Sequence, residues 1–309
     1  MTTQEYLHAC DASAAVAVSG TTLFAAASDE DSVLRVYDWV TAGSPMSVLD
    51  VATFLDLEEP LKPETDIEGA AQLGERVYWI GSHGRNKNGK VKKNRQRLFA
   101  TTIDRSGAVV KLQPVGRPYK NLIADLSTAP ALAPFNLGAA AAADLSPEAP
   151  GGFNIEGLAP AREAGQLLIG FRNPVPGGKA LIVRLKNPEA MVGNTAAAAQ
   201  LSVGGVLNLE GRGIRALEYV PALDRYLVLA GAFNDEQLFR LYLWDGRPDV
   251  EPSILIDDIS DLKPEELIVI DATKGKMTLQ LLSDDGTDAC KEAPILERRF
   301  RARMVEVQV

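Results

Sequence analysis

Short apolar runs, separated by turn residues and polar clusters, make up most of the chain. The clearest example is NIEGLAPAREAGQLLIGFRN at residues 154–173, which has a polar start, an apolar run, a turn, a second apolar run and a polar tail. The same order recurs at 66–85 and 215–234, and more weakly at 264–286 and 11–31. Runs rich in β-branched and aromatic residues predict strands, and repeated strand units are typical of stacked or radial β architectures.

Four successive strands in each repeat predict a propeller blade. The predicted blades begin near Asp11, Asp66, Asn154, Arg215 and Pro264. The last blade lacks a fourth strand of its own, and residues 5–9 can supply it, because an open sheet edge invites aggregation. The sequence therefore predicts an all-β fold, a β-propeller of five four-stranded blades that forms a single domain over residues 1–309.

One segment breaks this pattern. Residues 121–152 contain alanine runs that favour helix and prolines that end helices, which predicts a short helical insertion between blades. Residues 195–200 form a smaller alanine-rich excursion. Two alternatives remain at this point: a six-bladed propeller that includes the insertion, and a β-sandwich in which the repeats are accidental.

The composition is that of a globular protein, with 46% apolar and 24% charged residues among 309. No stretch approaches the length of a transmembrane helix, and the N-terminus lacks the basic and apolar regions of a signal peptide. We expect a cytoplasmic protein with no membrane partner.

Cysteine and histidine are too few for several kinds of site. Cys10 and Cys290 cannot form a disulfide framework, and as isolated thiols they make poor zinc ligands, so we expect no redox chemistry. Histidine is equally rare, and the two histidines are His8 and His83. A Ser/His/Asp hydrolase would depend on His83, and no G-x-S-x-G sequence supports one.

The net charge of −9 and the isoelectric point near 5.0 argue against nucleic-acid binding, which needs a basic face. Within this acidic chain, RNKNGKVKKNRQR at 85–97 is strongly basic. It is either a solvated loop between two strands or a patch that attracts a small anionic molecule.

In a propeller, the inner strand of each blade starts at the mouth of the central channel, and the loop after the second strand returns to that face. The sequence therefore predicts a ring of glutamates at the mouth: Glu68, Glu156, Glu218 and Glu266, with Asp11 or Ser13 in blade one. The second-strand tails around it are 29–30, 82–85, 171–173, 234–235 and 283–285.

Converging carboxylates repel one another and need a cationic neighbour. A divalent cation, Ca²⁺ or Mg²⁺, would be held by Glu68, Glu156, Glu218 and Glu266. Alternatively, arginines would neutralise the ring, and the candidates are Arg85, Arg172, Arg212 and Arg215. The second arrangement would make the ring a structural hub.

The candidate catalytic residues are Glu68, Glu156 and His83, the last being the only plausible histidine acid or base. His83 could equally be a hydrogen-bonded structural residue. The candidate ligand-binding residues are Arg85, Arg172, Asn173, Lys179 and Arg215, whose guanidinium, ammonium and amide groups suit an anionic or polyhydroxy ligand.

Three stretches, DIEGA with WIGSHGRNK, NIEGL with LLIGFRNP, and GRGIRALE, resemble a bacterial family, domain of unknown function 3616. The resemblance spans nearly the whole chain and implies a β-propeller-related fold without supplying a reaction. More distantly, the Ile-Glu-Gly inner strand resembles those of esterase-like phytase and calcium-dependent lactonase propellers. In the lactonases a comparable glutamate is a metal ligand, which the resemblance transfers to Glu68 or Glu156.

Two functions follow as expectations. One is a hydrolase of a small anionic substrate, a phosphoester or lactone, with its site at the channel mouth. The other is a non-catalytic propeller that binds a ligand or partner and uses the acidic ring as a structural hub.

The basic loop gives the first test. Replacing Lys90, Lys92 and Lys93 with Gln should slow association of an anionic ligand at low salt, because electrostatic steering acts within about 8 Å at physiological salt. Each substitution should cost less than about 0.5 kcal/mol of unfolding free energy, as for other surface changes. A stopped-flow rate equal to that of the wild type would contradict the steering hypothesis.

Overall fold

A computed structural model describes residues 3–58, 64–193, 197–234, 236, 238–248 and 250–309. Thr195 of the second excursion and Asp235 of the fourth predicted tail lie outside these residues. The described strands form five antiparallel sheets of four strands each, so the predicted five-bladed β-propeller is confirmed.

The first two blades follow the predicted order. Blade one consists of β2 (Ala14–Ala17), β3 (Leu23–Ala27), β4 (Val33–Asp38) and β5 (Ser47–Asp50). Blade two consists of β6 (Ile67–Leu73), β7 (Arg76–Gly81), β8 (Leu98–Asp104) and β9 (Lys111–Tyr119).

Blades three and four have the same order of strands. Blade three consists of β10 (Asn154–Pro160), β11 (Leu167–Asn173), β12 (Ala180–Leu185) and β13 (Leu201–Leu207). Blade four consists of β14 (Gly213–Val220), β15 (Arg225–Gly231), β16 (Arg240–Trp244) and β17 (Ser253–Ile256). Blade five is built from both ends of the chain and consists of β18 (Pro264–Thr273), β19 (Lys276–Ser283), β20 (Arg299–Gln308) and β1 (Thr3–Leu7).

The inner strands β2, β6, β10, β14 and β18 contact one another in a closed ring. Glycine permits this close approach. A Cβ atom added at Gly69 would lie 3.0 Å from the Leu158 Cβ of the next blade, and one at Gly157 would lie 2.9 Å from Ile214. This explains the glycine of the repeated Ile-Glu-Gly sequence.

Short helices connect the strands. They are α1 (Ala52–Leu55), α2 (Leu122–Thr128), α3 (Leu137–Ala142), α4 (Pro188–Val192) and α5 (Asp288–Glu292), with 3-10 turns at Lys93–Arg95, Pro130–Phe135, Pro176–Gly178 and Ile295–Glu297. Both α2 and α3 lie within the predicted helical insertion at 121–152, and their leucines join the core between blades two and three. Across the described ranges, every helix is too short or too polar to cross a bilayer.

The N-terminal strand closes the ring. β1 pairs with β20 in antiparallel register, as the missing fourth strand of blade five predicted. Tyr6 of β1 is fully buried, and its ring centroid lies 5.1 Å from that of Phe24 and 5.2 Å from those of Tyr37 and Phe300. The Gln280 Nε2 donates a 2.7 Å hydrogen bond to the Tyr6 hydroxyl. The closure thus ties blade five to blade one through an aromatic cluster.

The expectation that Cys10 and Cys290 are isolated thiols was wrong. Cys10 and Cys290 form a disulfide with Cα atoms 5.9 Å apart. The two residues are 280 positions apart in sequence, and ring closure brings them together. No local sequence spacing could indicate this pair, because the contact is made by the tertiary structure.

Replacing Tyr6 with Ala should lower the unfolding free energy by about 3–5 kcal/mol, because the variant leaves an aromatic-sized cavity at the closure. Tyr6→Phe is the matched control, since it keeps the ring and removes only the hydrogen bond from Gln280, at a cost of about 1 kcal/mol. Urea unfolding measures both. A loss for Tyr6→Ala no larger than for Tyr6→Phe would show that the aromatic cluster does not stabilise the closure.

Candidate functional site

A β-bulge re-aims one side chain near the start of the inner strand in four blades. In blade two, Ile67 pairs with Gly81 and Gly69 pairs with Ile80, so Glu68 is the extra residue. By the same pairing pattern, the extra unpaired residue is Glu156 in blade three, Arg215 in blade four and Glu265 in blade five. Bulges commonly redirect side chains at functional sites. All four bulged residues line one cavity at the channel mouth.

This register corrects the predicted ring. Glu68 and Glu156 lie at the mouth, but Glu218 and Glu266 do not line the cavity. Glu218 pairs regularly with Leu227, and burial raises its pKa to about 8. Glu266 accepts hydrogen bonds from the Leu267 and Ala15 amides at 2.8 and 3.3 Å. The repeat therefore pointed to the wrong residues in blades four and five, because the extra residue of a bulge changes which side chains face the cavity.

The cavity has a volume of about 560 Å³. Its carboxylates among the described residues are Asp29, Glu30, Glu64, Asp66, Glu68, Glu148, Glu156, Glu265 and Asp284. Its cationic residues in the same part of the chain are Arg85, Lys87, Lys92, Arg95, Arg172, Arg215 and Lys291. Carboxylates therefore exceed cationic side chains by two, and the distribution of the pairs decides where the excess lies.

Arg215 neutralises one side of the mouth. Its Nη1 lies 3.2 Å from Oε2 of Glu156 and 3.2 Å from Oε1 of Glu265. Glu156 also accepts hydrogen bonds from Arg172 Nη1 at 3.0 Å and from Asn154 Nδ2 at 2.7 Å. This is the arginine arrangement that the sequence offered as an alternative to a metal. Glu156 is therefore held by protein cations.

The opposite side, between blades one and two, is different. One oxygen each from Asp29, Asp66 and Glu68 lies within 4.8 Å of the others. Arg95 Nη1 lies 2.9 Å from Asp66, and the Ser82 hydroxyl donates to the same carboxylate. Glu68 is only 9% exposed, and the described residues offer its carboxylate neither a hydrogen bond nor an ion pair.

The pKa values reflect this uneven pairing. Burial, with the charges of Glu156 and Asp66, raises the pKa of Glu68 well above its usual value. Burial, with Asp11 and Asp66 nearby, does the same for Asp29. Burial also raises the pKa of Asp66 to about 6, although Arg95 opposes the shift. Negative charge at this corner is thus poorly compensated.

Asn154 is a further oxygen-bearing residue of the same cavity. Asn154 is 4% exposed and lines the cavity, and its Nδ2 is used by Glu156 while its Oδ1 accepts no hydrogen bond from described residues. Carboxylate and amide oxygens are the ligands that Ca²⁺ and Mg²⁺ prefer. Asp29, Asp66, Glu68 and Asn154 therefore fit a hard divalent cation by donor type.

His83 lies away from the mouth. It does not line the cavity, and its Nδ1 lies 2.8 Å from the Gly81 carbonyl oxygen. The ring is buried, which lowers its pKa to about 4. His83 is therefore buried outside the cavity and contacts a backbone carbonyl, which is the arrangement that the structural alternative predicts.

Three other predicted ligand-binding residues make different contacts. Arg85 lines the cavity, but its guanidinium donates to the carbonyls of Ala141 and Ala142 in the helical insertion and contacts Asp144 at 2.8 Å. Asn173 donates to two carbonyls of the same insertion, does not line the cavity and so anchors the cavity wall instead. Lys179 lies outside the cavity, 3.9 Å from Glu251.

The basic loop does reach the mouth. Lys87, Lys92 and Arg95 line the cavity, whereas Lys93 pairs with Glu58 at 3.2 Å and Arg97 is buried among backbone carbonyls. Only part of the basic run therefore lines the cavity.

Several site residues had no assigned role in the sequence prediction. Asp66 was visible as the start of a repeat, and Asp29 and Asp284 as parts of second-strand tails. Glu265 could have been found only by recognising the bulge within Pro-Glu-Glu-Leu. Lys291 had no sequence signal, because it reaches Glu30 through ring closure.

A family model described as "Protein of unknown function (DUF3616)" matches residues 11–119 and 111–278. The chain belongs to this family. No curated protein matches the DUF3616 chain.

Three solved structures similar to this DUF3616 protein have low sequence identity to it. Glutaminyl cyclase of Myxococcus xanthus is 14% identical, with a TM-score of 0.47 and coverage of 99% of this chain and 95% of that one. Hydrazine synthase of Kuenenia stuttgartiensis is 9% identical (TM-score 0.42, 90% and 57% covered). The Cps50 (Swd1) β-propeller domain of Myceliophteria thermophila is 9% identical (TM-score 0.41, 98% and 100% covered).

Two of the three bulged glutamates of this DUF3616 protein, Glu68 and Glu156, should respond oppositely to neutralisation. Glu156→Gln should lower the unfolding free energy by about 3 kcal/mol, because it leaves Arg172 and Arg215 without their shared buried partner. Glu68→Gln should be neutral or stabilising in the presence of chelator, because it removes a buried carboxyl group to which the described residues give no ion pair.

Urea unfolding at pH 7 with EDTA measures both variants under the same conditions. Glu218→Gln serves as a control for loss of a glutamate outside the cavity. A destabilisation of Glu68→Gln equal to that of Glu156→Gln would show that Glu68 has a stabilising partner in the fold.

Proposed function

We propose that the channel mouth is the active site of a divalent-cation-dependent hydrolase that acts on a small anionic substrate, a phosphoester or a lactone. The observation that carries this proposal is the corner formed by Asp29, Asp66 and Glu68, where three carboxylates converge and the described residues give Glu68 no ion pair. An open cavity with convergent polar groups of both signs is the expected setting for such a site.

The cation would be held by Asp29, Asp66 and Glu68, with Asn154 Oδ1 as a further oxygen donor. A bound divalent cation would supply Lewis-acid polarisation of the substrate and a lowered pKa for water. The donor set contains only oxygen, which favours Ca²⁺ or Mg²⁺ over softer metals.

Cationic residues elsewhere around the cavity would bind the substrate anion. Lys87 and Lys92 rise from the basic loop, and Arg215 lies at the bulged position of blade four. Guanidinium groups bind planar and tetrahedral oxyanions through paired hydrogen bonds. Lysines at the rim would draw the anion toward the mouth.

Glu265 is the carboxylate that we assign to proton transfer, in place of His83. It lines the cavity, and burial together with the neighbouring Asp284 raises its pKa well above the usual value. A carboxyl group with a raised pKa is suited to act as a general acid or base near neutral pH. Arg215, 3.2 Å away, fixes its position.

One observation favours the non-catalytic alternative. Glu156 accepts contacts from Arg172, Arg215 and Asn154, and Arg215 also contacts Glu265, as expected of a hub that joins blades three, four and five. In that case the cavity would bind a ligand without turnover, and the Glu68 corner would serve recognition alone.

Calorimetric titration of the metal-free protein with Ca²⁺ and Mn²⁺ tests the cation site. We expect one cation per chain, at least about tenfold weaker binding to Glu68→Gln and Asp29→Asn through loss of a ligand, and unchanged binding to Glu218→Gln. Absence of binding to the wild type, or equal affinity in Glu68→Gln, would reject the site.

A panel of phosphoesters and lactones, assayed with the cation and then with excess EDTA, tests catalysis. We expect turnover that the chelator abolishes and that Glu265→Gln lowers by about a hundredfold, as for loss of a general acid or base. Cation binding without turnover on any member of the panel would favour the ligand-binding alternative.

A further inference from the structure

The first cysteine of the disulfide, Cys10, lies next to residues of the candidate cation site. Cys10 immediately precedes Asp11, whose carboxylate accepts hydrogen bonds from the Ser28 hydroxyl at 2.8 Å and the Asp29 amide at 3.2 Å. Asp29 is one of the three converging carboxylates. The position of Asp11 therefore controls how the Asp29 turn presents its side chain to the cavity.

The other half of the disulfide reaches the same turn. Cys290 immediately precedes Lys291, whose ammonium pairs with Glu30 at the cavity wall. Burial disfavours the charged ammonium, but the hydrogen bond and charge of Glu30 outweigh it and raise the pKa of Lys291 to about 12. The residues on both sides of one turn are thus tethered by a single covalent bond.

The two segments also contact each other directly. The Asp285 amide donates a 3.1 Å hydrogen bond to the Cys10 carbonyl, and Asp11 and Asp284 form an isolated antiparallel bridge. Asp284 lines the cavity. Besides the disulfide, these polar contacts and the Lys291–Glu30 pair hold the segment at 284–291 against blade one.

The disulfide is accessible from outside the channel mouth. Cys10 is 1% exposed, but Cys290 lines a second cavity of about 440 Å³. Glu5, Asp285, Arg299 and Arg301 are among its other lining residues. A small thiol reductant could therefore reach the Cys290 sulfur without entering the candidate active site.

We propose that the Cys10–Cys290 disulfide is a redox latch that sets the cation affinity of the channel mouth by holding the turn at residues 28–30 from both sides. The link to cation affinity rests on the proposed function. The mechanical part, that the latch orders the turn, does not depend on it.

The chemistry needs a dithiol as co-reactant. One thiolate of the dithiol attacks Sγ of Cys290, and Sγ of Cys10 leaves as a thiolate and takes up a proton. The second thiol of the reagent then displaces Cys290, so that the protein gains two thiols and the reagent becomes a disulfide. Two electrons pass from the reagent to the protein.

Hydrogen–deuterium exchange tests the mechanical part. After reduction we expect exchange at the Asp29 and Glu30 amides to become about tenfold faster, together with exchange over 287–293, because local opening governs exchange. Amides of β11 in blade three should be unchanged and serve as the internal control. Unchanged exchange at Asp29 and Glu30 would overturn the latch.

Calorimetric titration with Ca²⁺ tests the functional part. Reduction, or the double substitution Cys10→Ser with Cys290→Ser, should weaken binding by about tenfold, within the usual range of coupling between sites. Reductant should have no further effect on the double variant. Lys291→Gln keeps the disulfide but loses the pair with Glu30, and should reproduce part of the loss.

The outcomes separate the two proposals. If the oxidised protein binds no cation, the proposed function fails, and faster exchange at Asp29 and Glu30 still supports the latch. If the oxidised and reduced proteins bind Ca²⁺ equally well, the redox control of affinity is wrong while the cation site remains.

Discussion

The channel mouth depends on one interaction, the bridge that Arg215 makes between Glu156 and Glu265. In four of the five blades a bulge turns one side chain toward the cavity, and in blades two, three and five that side chain is a glutamate. Carboxylates this close repel one another in a poorly solvated site. The arginine at the equivalent position of blade four allows these side chains to lie together at the mouth, because its charge is shared by the glutamates on either side.

The compensation is uneven, and this gives the site its polarity. On the side of blades three to five Arg215 is shared by Glu156 and Glu265, whereas in blades one and two the described residues give Glu68 no ion pair and leave Asp29 beside Asp66. A fold that needed only a structural ring would gain from neutralising both sides, since a buried unpaired charge is costly. The unmatched side is therefore where an external cation would stabilise the protein most.

Ring closure and the site are built from the same residues. The N-terminal strand completes blade five, and the segments that flank it bring Cys10 and Cys290 together beside the turn that carries Asp29 and Glu30. The aromatic cluster around Tyr6 supplies the apolar part of this junction. Stability of the closure and geometry of the cavity are consequently linked, because both depend on how the two termini pack against blade one.

The sequence by itself determined the blades, the helical insertion, the closing strand and two mouth residues, Glu68 and Glu156, since strand periodicity and repeated turns are local properties. Only the tertiary structure decided the rest. Bulges in blades four and five place Arg215 and Glu265 at the mouth instead of Glu218 and Glu266. His83 is buried outside the cavity. Closure of the propeller joins two cysteines that are 280 positions apart. Register and long-range pairing depend on which residues meet across strands and termini, which a repeat pattern does not encode.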